Sequence, residues 1–131
     1  AVRLTRVPFA PPTGGYAMLA LSKNGQMEHA MRKFIIGWVK FKPANRTEFL
    51  DAIKSHAAAT RLEAGCIFFD VGASLEDPDK IVIVECFESA EAHEHHLNAP
   101  RMIALIADVG NMIAEAKFEN ILSDNVITDG M

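Results

Sequence analysis

The sequence predicts an α+β protein of the ferredoxin-like type, in which helices pack on one sheet as a split β-α-β sandwich. The prediction rests on two observations. Segments with strand and helix periodicity follow one another in the order strand, helix, strand, strand, helix, strand. Apolar residues make up 50% of the 131 residues and charged residues 23%, which is typical of one globular domain with a substantial core.

The first strand and the first helix are predicted on either side of Pro43. The stretch "KFIIGWVKF", Lys33 to Phe41, carries β-branched and aromatic residues on both alternating faces, which indicates a strand covered on both sides. Asn45 and Glu48 have the spacing of a capping box and predict a helix start. Gly65 is placed to end the helix. Between them, helical spacing relates Phe49, Leu50, Ile53, Ala57 and Thr60.

A hairpin, a second helix and a last strand account for the rest. The stretches "CIFFDV" and "IVIVECF" are predicted strands, and the turn formers in "GASLEDPDK" join them. Ser89 is a predicted cap of the second helix, which Pro100 interrupts before "RMIALIADVGNMI" continues as another helical piece. The stretch "AEAKFENIL", Ala114 to Leu122, predicts the fourth strand.

The predicted domain occupies residues 31–124, between an N-terminal arm of residues 1–30 and a C-terminal tail of residues 125–131. Three prolines and a Gly-Gly pair break any periodicity in the arm. The arm is interpreted as a leader, a tag or an extension that packs in a dimer, since Met18, Met27 and Met31 are all candidate first residues of the natural chain.

Charge and cysteine content exclude several classes of function. A net charge of -4 offers no basic stripe for a phosphate backbone, so the sequence predicts no nucleic-acid partner. No run of 18 apolar residues is present, and no membrane association is predicted. Cys66 and Cys86 lie in strand-like apolar runs, where thiols are usually buried, so a reducing, cytoplasmic setting is expected.

The predicted sheet has one face that the helices cannot cover. Large apolar side chains, Trp38 among them, would then lie in water, which a monomer rarely tolerates. The sequence therefore predicts a homodimer or a higher homo-oligomer that buries sheet against sheet.

Four stretches between Phe34 and about Phe118 resemble the antibiotic biosynthesis monooxygenase (ABM) domain family. They are "KFKPANRTEFLDAI", "HAAATRLEAGCIFFDV", "IVIVECFES" and "EAHEHHLNAPRM", the last with its His-Leu-x-x-Pro element. The resemblance implies a dimeric α/β barrel. It also implies a monooxygenase without metal, haem or flavin cofactor, whose partners are dioxygen and a quinol-like or polyphenolic small molecule.

The resemblance is incomplete at positions that relatives use for other chemistry. Haem-degrading relatives have Asn, Trp and His where this chain has Gly37, His96 and Ile106, so haem cleavage is disfavoured. Phe68 or Phe69 stands where relatives often have Tyr, which disfavours a phenol-assisted mechanism. Two alternatives remain, an isomerase of a small phosphorylated carbonyl compound of the autoinducer-2-processing type and a non-catalytic dimeric binding module.

The stretch "EAHEHHLNAP" holds three of the five histidines of the chain. His93 and His96 have i, i+3 spacing and share a helix face, whereas His95 points elsewhere. No third His or Cys is spaced to complete a zinc site, so no metal is expected. His93 and His95 are expected in solvent. By resemblance, His96 occupies the His-Leu-x-x-Pro position and faces the pocket as a candidate base.

Two further residues are candidates for catalysis. His56 is one turn from Ile53 and either lines the same pocket or is an ordinary half-buried histidine. Glu85 shares a strand face with apolar residues, where a carboxylate requires a partner or a raised pKa. It is interpreted either as a base or as an acid that orients a histidine, or as a structural ion pair with one of the cations Arg61, Lys40 and Arg101.

Aromatic residues and one arginine are candidates for binding the substrate. Trp38, Phe34, Phe68 and Phe69 are predicted walls for a planar molecule, although a Trp in a first strand is also typical of a core or a dimer interface. Arg101 is a candidate for an anionic substrate group or an ordinary surface residue.

Overall fold

A computed structural model of the chain describes Leu19–Leu21, Met27–His29 and residues 31–131. It confirms the predicted α+β fold, with a four-stranded antiparallel sheet in the spatial order β4-β5-β3-β6. The elements are β1 (Leu19–Leu21), β2 (Met27–His29), β3 (Arg32–Phe41), α1 (Arg46–Thr60), β4 (Cys66–Ala73), β5 (Lys80–Phe87), α2 (Ala90–Leu97), α3 (Pro100–Val109) and β6 (Ile113–Ser123), with short 3-10 turns at Pro43–Asn45 and Gly110–Met112.

Strand β3 lies inside the sheet and pairs with β5 and β6. Alternation along β3 turns Ile35, Val39 and Phe41 toward the helices, and all three are buried. Gly37 lies between Ile83 of β5 and Phe118 of β6 in the same row. This row of β3 is therefore the floor on which the helices pack.

Helix α1 begins after the 3-10 turn that contains Pro43. Asn45 occupies its N-cap position, but the Asn45 side chain makes no capping hydrogen bond to a described residue, so the predicted capping box is wrong. The proline-led turn itself starts the helix, because it presets the backbone of its first residues. The buried stripe has the predicted helical spacing and consists of Phe49, Ile53, His56, Ala57 and Thr60.

Helices α2 and α3 form where one interrupted helix was predicted. The Ser89 Oγ accepts a hydrogen bond of 3.1 Å from the Ala92 backbone N–H, as expected of a cap. Pro100 ends the first piece and stands at the start of α3, where its missing N–H costs nothing. After the break, α2 and α3 remain in contact with each other.

The main core lies between α1, α3 and the sheet. The rings of Phe41 and Phe49 stack at 5.0 Å between centroids and join β3 to α1. Gly65 has a φ of 88°, a left-handed conformation that favours glycine, in the turn between α1 and β4. The buried core cluster is Val39, Phe41, Phe49, Ile53, Ala57, Phe69, Ile81, Ile83 and Val109.

The opposite face of the sheet carries a second apolar row. Phe34 lies opposite Cys86, and Trp38 lies opposite Val82, on the side away from the core cluster. The Lys117 Nζ is 4.9 Å from the centre of the Trp38 ring, a cation-π contact. The predicted dimer through this face stays a prediction.

Part of the predicted arm forms two short antiparallel strands, in which Leu19 pairs with His29 and Leu21 with Met27. The rest of residues 1–30 lies outside the described residues, and the predicted boundaries at residues 30 and 124 stay predictions. Within the described chain, residues 124–131 contain no helix or strand. No described helix is both long enough and apolar enough to cross a bilayer.

Candidate active site

A cavity of about 320 Å³ lies between the three helices and the sheet. Its polar lining consists of His56, His93 and His96 from the helices, and of Glu85 and Asn120 from the strands. The apolar lining is Ile35, Val39, Phe49, Ile53, Phe69, Ile83, Leu97, Met102, Leu105, Ile106, Val109, Ile113 and Phe118. The cavity is thus suited to a mostly apolar small molecule that a few polar groups orient.

His96 lies in the last turn of α2 with only 2% of its surface exposed. Its Nδ1 is 2.9 Å from the Glu63 Oε1. A carboxylate oxygen accepts hydrogen bonds, so the ring proton belongs on Nδ1 and Nε2 keeps a free lone pair. Nε2 points toward Glu85, on the cavity side of the ring. The arrangement is that of a histidine base held by a carboxylate.

Glu63 was not identified from the sequence, because it belongs to the irregular turn between α1 and β4. Its second carboxylate oxygen accepts a hydrogen bond from the Arg101 Nη2. Glu63 therefore joins α2 and α3 through His96 and Arg101. The only local signal was an acidic residue just after a helix end, a pattern too common to indicate a site.

His56 is also buried, and it differs from His96 in its hydrogen bonding. The Arg101 Nη1 donates to the His56 Nδ1 at 3.0 Å, and since a guanidinium only donates, the ring proton of His56 belongs on Nε2. Burial, His96 and Arg101 lower the pKa of His56 to about 4. His56 is therefore neutral near pH 7, and a cation occupies its free lone pair.

Glu85 has 6% of its surface exposed, and its Oε1 has no hydrogen-bond partner among the described residues. This oxygen is 4.0 Å from the His96 Nε2. Burial, with a smaller contribution from Glu63, raises the pKa of Glu85 to about 7. Near neutral pH the acid is thus present both with and without its proton.

The interpretation of Glu85 as one half of an ion pair is wrong. The three candidate cations pair with other acids in the described chain: Lys40 with Asp77 at 3.1 Å, Arg61 with Asp70 at 4.0 Å, and Arg101 with Glu63. Glu85 points to the cavity on the helix side of the sheet, and Arg101, which also lies on that side, is bonded to Glu63.

His93 is buried, so its expected place in solvent is wrong, while His95 is exposed as expected. The i, i+3 spacing turns His93 to the same side of α2 as His96, and their ring centroids are 6.1 Å apart. The His93 ring also packs on Phe87, with centroids at 5.2 Å. Burial, Lys33 and His96 lower the pKa of His93 to about 4.

Of the four aromatic residues predicted as walls, Phe69 lines the cavity. Trp38, Phe34 and Phe68 lie on the other face of the sheet, where the centroids of the Phe34 and Phe68 rings are 6.5 Å apart. Because both faces of β3 are apolar, its sequence did not indicate which one the helices would cover. Arg101 bonds to side chains of α1 and of the following turn.

Phe118 of β6 is a cavity wall that the sequence did not indicate. Its ring lies over Gly37, where an added Cβ would come within 2.5 Å of the Phe118 Cε1. Only glycine leaves room for a ring in this position. Gly37 and Phe118 together determine the shape of the cavity along β6.

No group of three or more His, Cys, Asp and Glu residues in the described ranges has an arrangement that could hold a metal ion. Of the polar residues of the cavity, His56 and His96 are joined by hydrogen bonds through Arg101 and Glu63. Two chains of hydrogen bonds meet at Arg101, one through Glu63 to His96 and the other to His56.

Comparison with protein families matches residues 34–108, more than half of the chain, to the model of the antibiotic biosynthesis monooxygenase family. The matched segment runs from β3 to α3 and contains His56, Glu63, Glu85 and His96. None of the curated proteins is significantly similar in sequence to the chain.

Solved structures have the same fold. A candidate antibiotic biosynthesis monooxygenase from Deinococcus radiodurans has a TM-score of 0.70 at 20% identity, with 76% of this chain and 99% of that chain covered. A candidate antibiotic biosynthesis monooxygenase from Nitrosomonas europaea has a TM-score of 0.65 at 18% identity, with 72% of this chain and 89% of that chain covered. A conserved protein from Bacteroides thetaiotaomicron, described as a candidate oxidoreductase, has a TM-score of 0.66 at 23% identity, with 70% of this chain and 97% of that chain covered. At these identities the likeness shows the fold alone.

Proposed function

Because the chain belongs to the antibiotic biosynthesis monooxygenase family, we propose that it is a cofactor-independent monooxygenase of a quinol-like or polyphenolic small molecule. One observation carries the proposal. The His96 Nδ1 is hydrogen-bonded to the Glu63 carboxylate at 2.9 Å, which leaves Nε2 as a proton acceptor at an apolar cavity.

His96 is the proposed base of the reaction. Its Nε2 takes a proton from a hydroxyl group of the substrate, and the resulting imidazolium is stabilised by Glu63. The substrate anion is electron-rich enough to transfer electrons to dioxygen itself. Glu85 and His56 contribute as hydrogen-bonding groups, and His56 is the weaker candidate for a base because Arg101 occupies its lone pair.

The proposed overall reaction balances without an external reductant. A dihydroxyarene and one dioxygen give one hydroxyquinone and one water. One oxygen atom forms a new bond to a ring carbon, and the other leaves as water with two hydrogens from the substrate. The substrate loses the four electrons that reduce the dioxygen, and the His96 proton returns to the departing oxygen.

The apolar lining supports this class of substrate. A planar aromatic ring gains free energy by leaving water, at roughly 25 cal/mol per Å² of apolar surface. A cavity with little water also strengthens the hydrogen bonds that hold a developing anion. The neutral His56 and His93 add polar edges to the cavity without adding a net charge.

The isomerase alternative requires a cation for the phosphate group, and no observation favours it. The expected cations Arg101, Arg61 and Lys40 are each engaged by an acidic side chain. The alternative of a non-catalytic binding module predicts binding without oxygen uptake, so the experiment below distinguishes it.

We extend the proposal to assembly and location. A homodimer would bury the sheet face that carries Phe34, Trp38 and Phe68, and a higher homo-oligomer would contain the same contact. A cytoplasmic location is consistent with the free thiols of Cys66 and Cys86, whose pKa values burial raises to about 11.

The test measures oxygen uptake by the purified protein with quinols and an anthrone, and in parallel follows the conversion of a phosphorylated hydroxyketone by NMR, because an isomerisation consumes no oxygen. With oxygen-18 gas, the account predicts one labelled atom in the quinone product and one in water. Binding of a quinol without uptake above the rate of autoxidation would favour the binding module. Turnover of the phosphorylated compound alone would establish the isomerase instead.

A further inference from the structure

We propose that the His96 Nε2 and the Glu85 Oε1 form a two-point binding site for one neutral hydroxyl group on an aromatic ring, in which the Glu85 carboxylic acid donates and the imidazole accepts. The inference rests on the proposed function, because it names the group by which that cavity would recognise its substrate. It assigns Glu85 as a hydrogen-bond donor.

The separation of the two atoms fits a hydroxyl group between them. At 4.0 Å they are too far apart for a direct hydrogen bond. One oxygen atom that lies off the line between them can be about 2.8 Å from both atoms, which is hydrogen-bond distance. A hydroxyl group is matched to the pair because it donates one hydrogen bond and accepts another.

The state of Glu85 itself indicates a ligand. The residue is more than nine-tenths buried, with 6% of its surface exposed, and its Oε1 has no partner among the described residues. Buried polar atoms are almost always hydrogen-bonded. The other unpaired buried atoms of the described residues, Nε and Nη2 of Arg32, do not line the cavity, whereas Glu85 does, so its Oε1 is placed to bond a molecule in the cavity. A substrate hydroxyl supplies this partner.

The groups around Glu85 favour the protonated acid. The pKa of its carboxyl is raised to about 7 by burial and by the Glu63 charge. Arg101 does not neutralise Glu85, because it is bonded to Glu63. The titratable groups that face Glu85 are His96 and His93 of α2, His56 of α1, Glu63 of the following turn and Cys66 of β4.

The pair selects one chemical class of ligand. A neutral hydroxyarene satisfies both atoms, whereas the parent hydrocarbon leaves both unpaired, and a site built to bond a hydroxyl group rejects an analogue without it. A carboxylate or phosphate in the same place has no hydrogen to donate to the His96 Nε2 and would lie near the negative charge of Glu63 behind His96. The site therefore favours neutral phenols and naphthols over organic anions.

The test measures the binding of 1-naphthol and of naphthalene to the full chain between about pH 5.5 and about pH 8.5. We expect naphthol to bind at least about tenfold more tightly than naphthalene at the acidic end. The naphthol affinity should fall above about pH 7, approaching about tenfold per unit, as Glu85 loses its proton. Glu76→Gln, an exposed loop position, is the matched control and should behave as the wild type.

Two variants of Glu85 distinguish the effect of its hydrogen-bond donor from the effect of its negative charge. Glu85→Gln keeps an N–H donor and cannot ionise, so it should bind naphthol with an affinity independent of pH. Glu85→Leu keeps only the His96 acceptor, so it should lose most of the preference for naphthol over naphthalene, and circular dichroism checks that it folds. Equal binding of both ligands by the wild type, or a pH dependence that persists in Glu85→Gln, would overturn the inference.

Naphthol binding and oxygen uptake can succeed or fail independently, so they test the hydroxyl site and the proposed function separately. Selective naphthol binding without oxygen uptake supports the hydroxyl site and contradicts the monooxygenase. Oxygen uptake with naphthol binding that Glu85→Leu leaves unchanged supports the monooxygenase and contradicts the hydroxyl site.

Discussion

The Nδ1 of His96 lies 2.9 Å from the Oε1 of Glu63, and this contact ties the end of α2 to the turn after α1. It determines which ring nitrogen of His96 carries the proton and which one faces the cavity. The central claim, that His96 is a base, depends on this relationship.

Replacing Glu63 tests the contact directly. Glu63→Gln retains a hydrogen-bond acceptor for the His96 Nδ1 but removes the negative charge that stabilises the imidazolium. We expect kcat to fall by at least about tenfold, but by less than the hundredfold to ten-thousandfold lost when the base itself is removed, with KM nearly unchanged. The control is Glu94→Gln, an exposed residue of α2. A rise in KM at constant kcat would show that Glu63 acts in binding instead.

Substitution of Gly37 tests the shape of the cavity. A Cβ in Gly37→Ala would meet the Phe118 ring at 2.5 Å and push it toward the cavity, so KM for a planar substrate should rise about tenfold or more. Gly72→Ala on β4 is the matched control, since its Cβ would meet no described atom within 4 Å. Adding Phe118→Leu to Gly37→Ala should restore KM. A Gly37→Ala protein with unchanged KM would show that the substrate does not reach this wall.

The stability of the protein should decrease in acid because of two histidines. The pKa values of His56 and His93 are lowered to about 4 from 6.5, so the unfolded chain binds more protons between these values. Their contribution is complete above pH 6.5 and is lost as the pH falls toward 4, on the order of 1–3 kcal/mol per histidine. His93→Leu should reduce the change in the free energy of unfolding, measured with urea, between pH 6.5 and pH 4. The control His95→Leu, at an exposed position, should not.

Glu85 should act on stability in the opposite direction. Its pKa is raised from 4.5 to about 7, so its contribution is present below pH 4.5 and is lost as the pH rises through 7. Glu85→Gln should therefore make the protein relatively more stable at pH 8 than at pH 5. An equal change in the free energy of unfolding at pH 5 and pH 8 would contradict the raised pKa of Glu85.

Assembly through the second sheet face is testable by sedimentation. We expect at least a dimer at micromolar concentration, and Trp38→Glu should dissociate it because a buried charge in an interface is costly. Leu75→Glu, at a fully exposed loop position, should leave the mass unchanged. A wild-type protein that sediments only as a 14.4 kDa species would contradict the dimer.

The order of the elements was readable from the sequence because periodicity reports local structure. The alternating stretch from Ala114 to Leu122 became β6, and Ser89 capped α2 as its spacing indicated. The capping box at Asn45 failed because the turn led by Pro43 starts the helix without a side-chain cap.

The candidate site was only partly readable because it depends on contacts between distant segments. His96, His56, Glu85 and Phe69 were candidates for one site, His56 and Glu85 each with a structural alternative, and all four line one cavity. Glu63 was missed, since its partner His96 is 33 residues away along the chain and no local pattern relates them. The prediction of Phe34, Phe68 and Trp38 as walls is wrong, because apolar residues on both faces of a strand do not indicate which face a helix covers. For Trp38 the sequence had also offered the uncovered face as an alternative, and it lies there.

Oxygen uptake by His96→Ala with a quinol substrate, beside His95→Ala as the control, tests the central claim most directly. His96 is buried at the cavity and His95 is exposed on the same helix. The account predicts that His96→Ala loses about a hundredfold to ten-thousandfold in kcat with its fold retained, while His95→Ala stays within about threefold of the wild type. Full activity in a folded His96→Ala protein would contradict the assignment of His96 as the base.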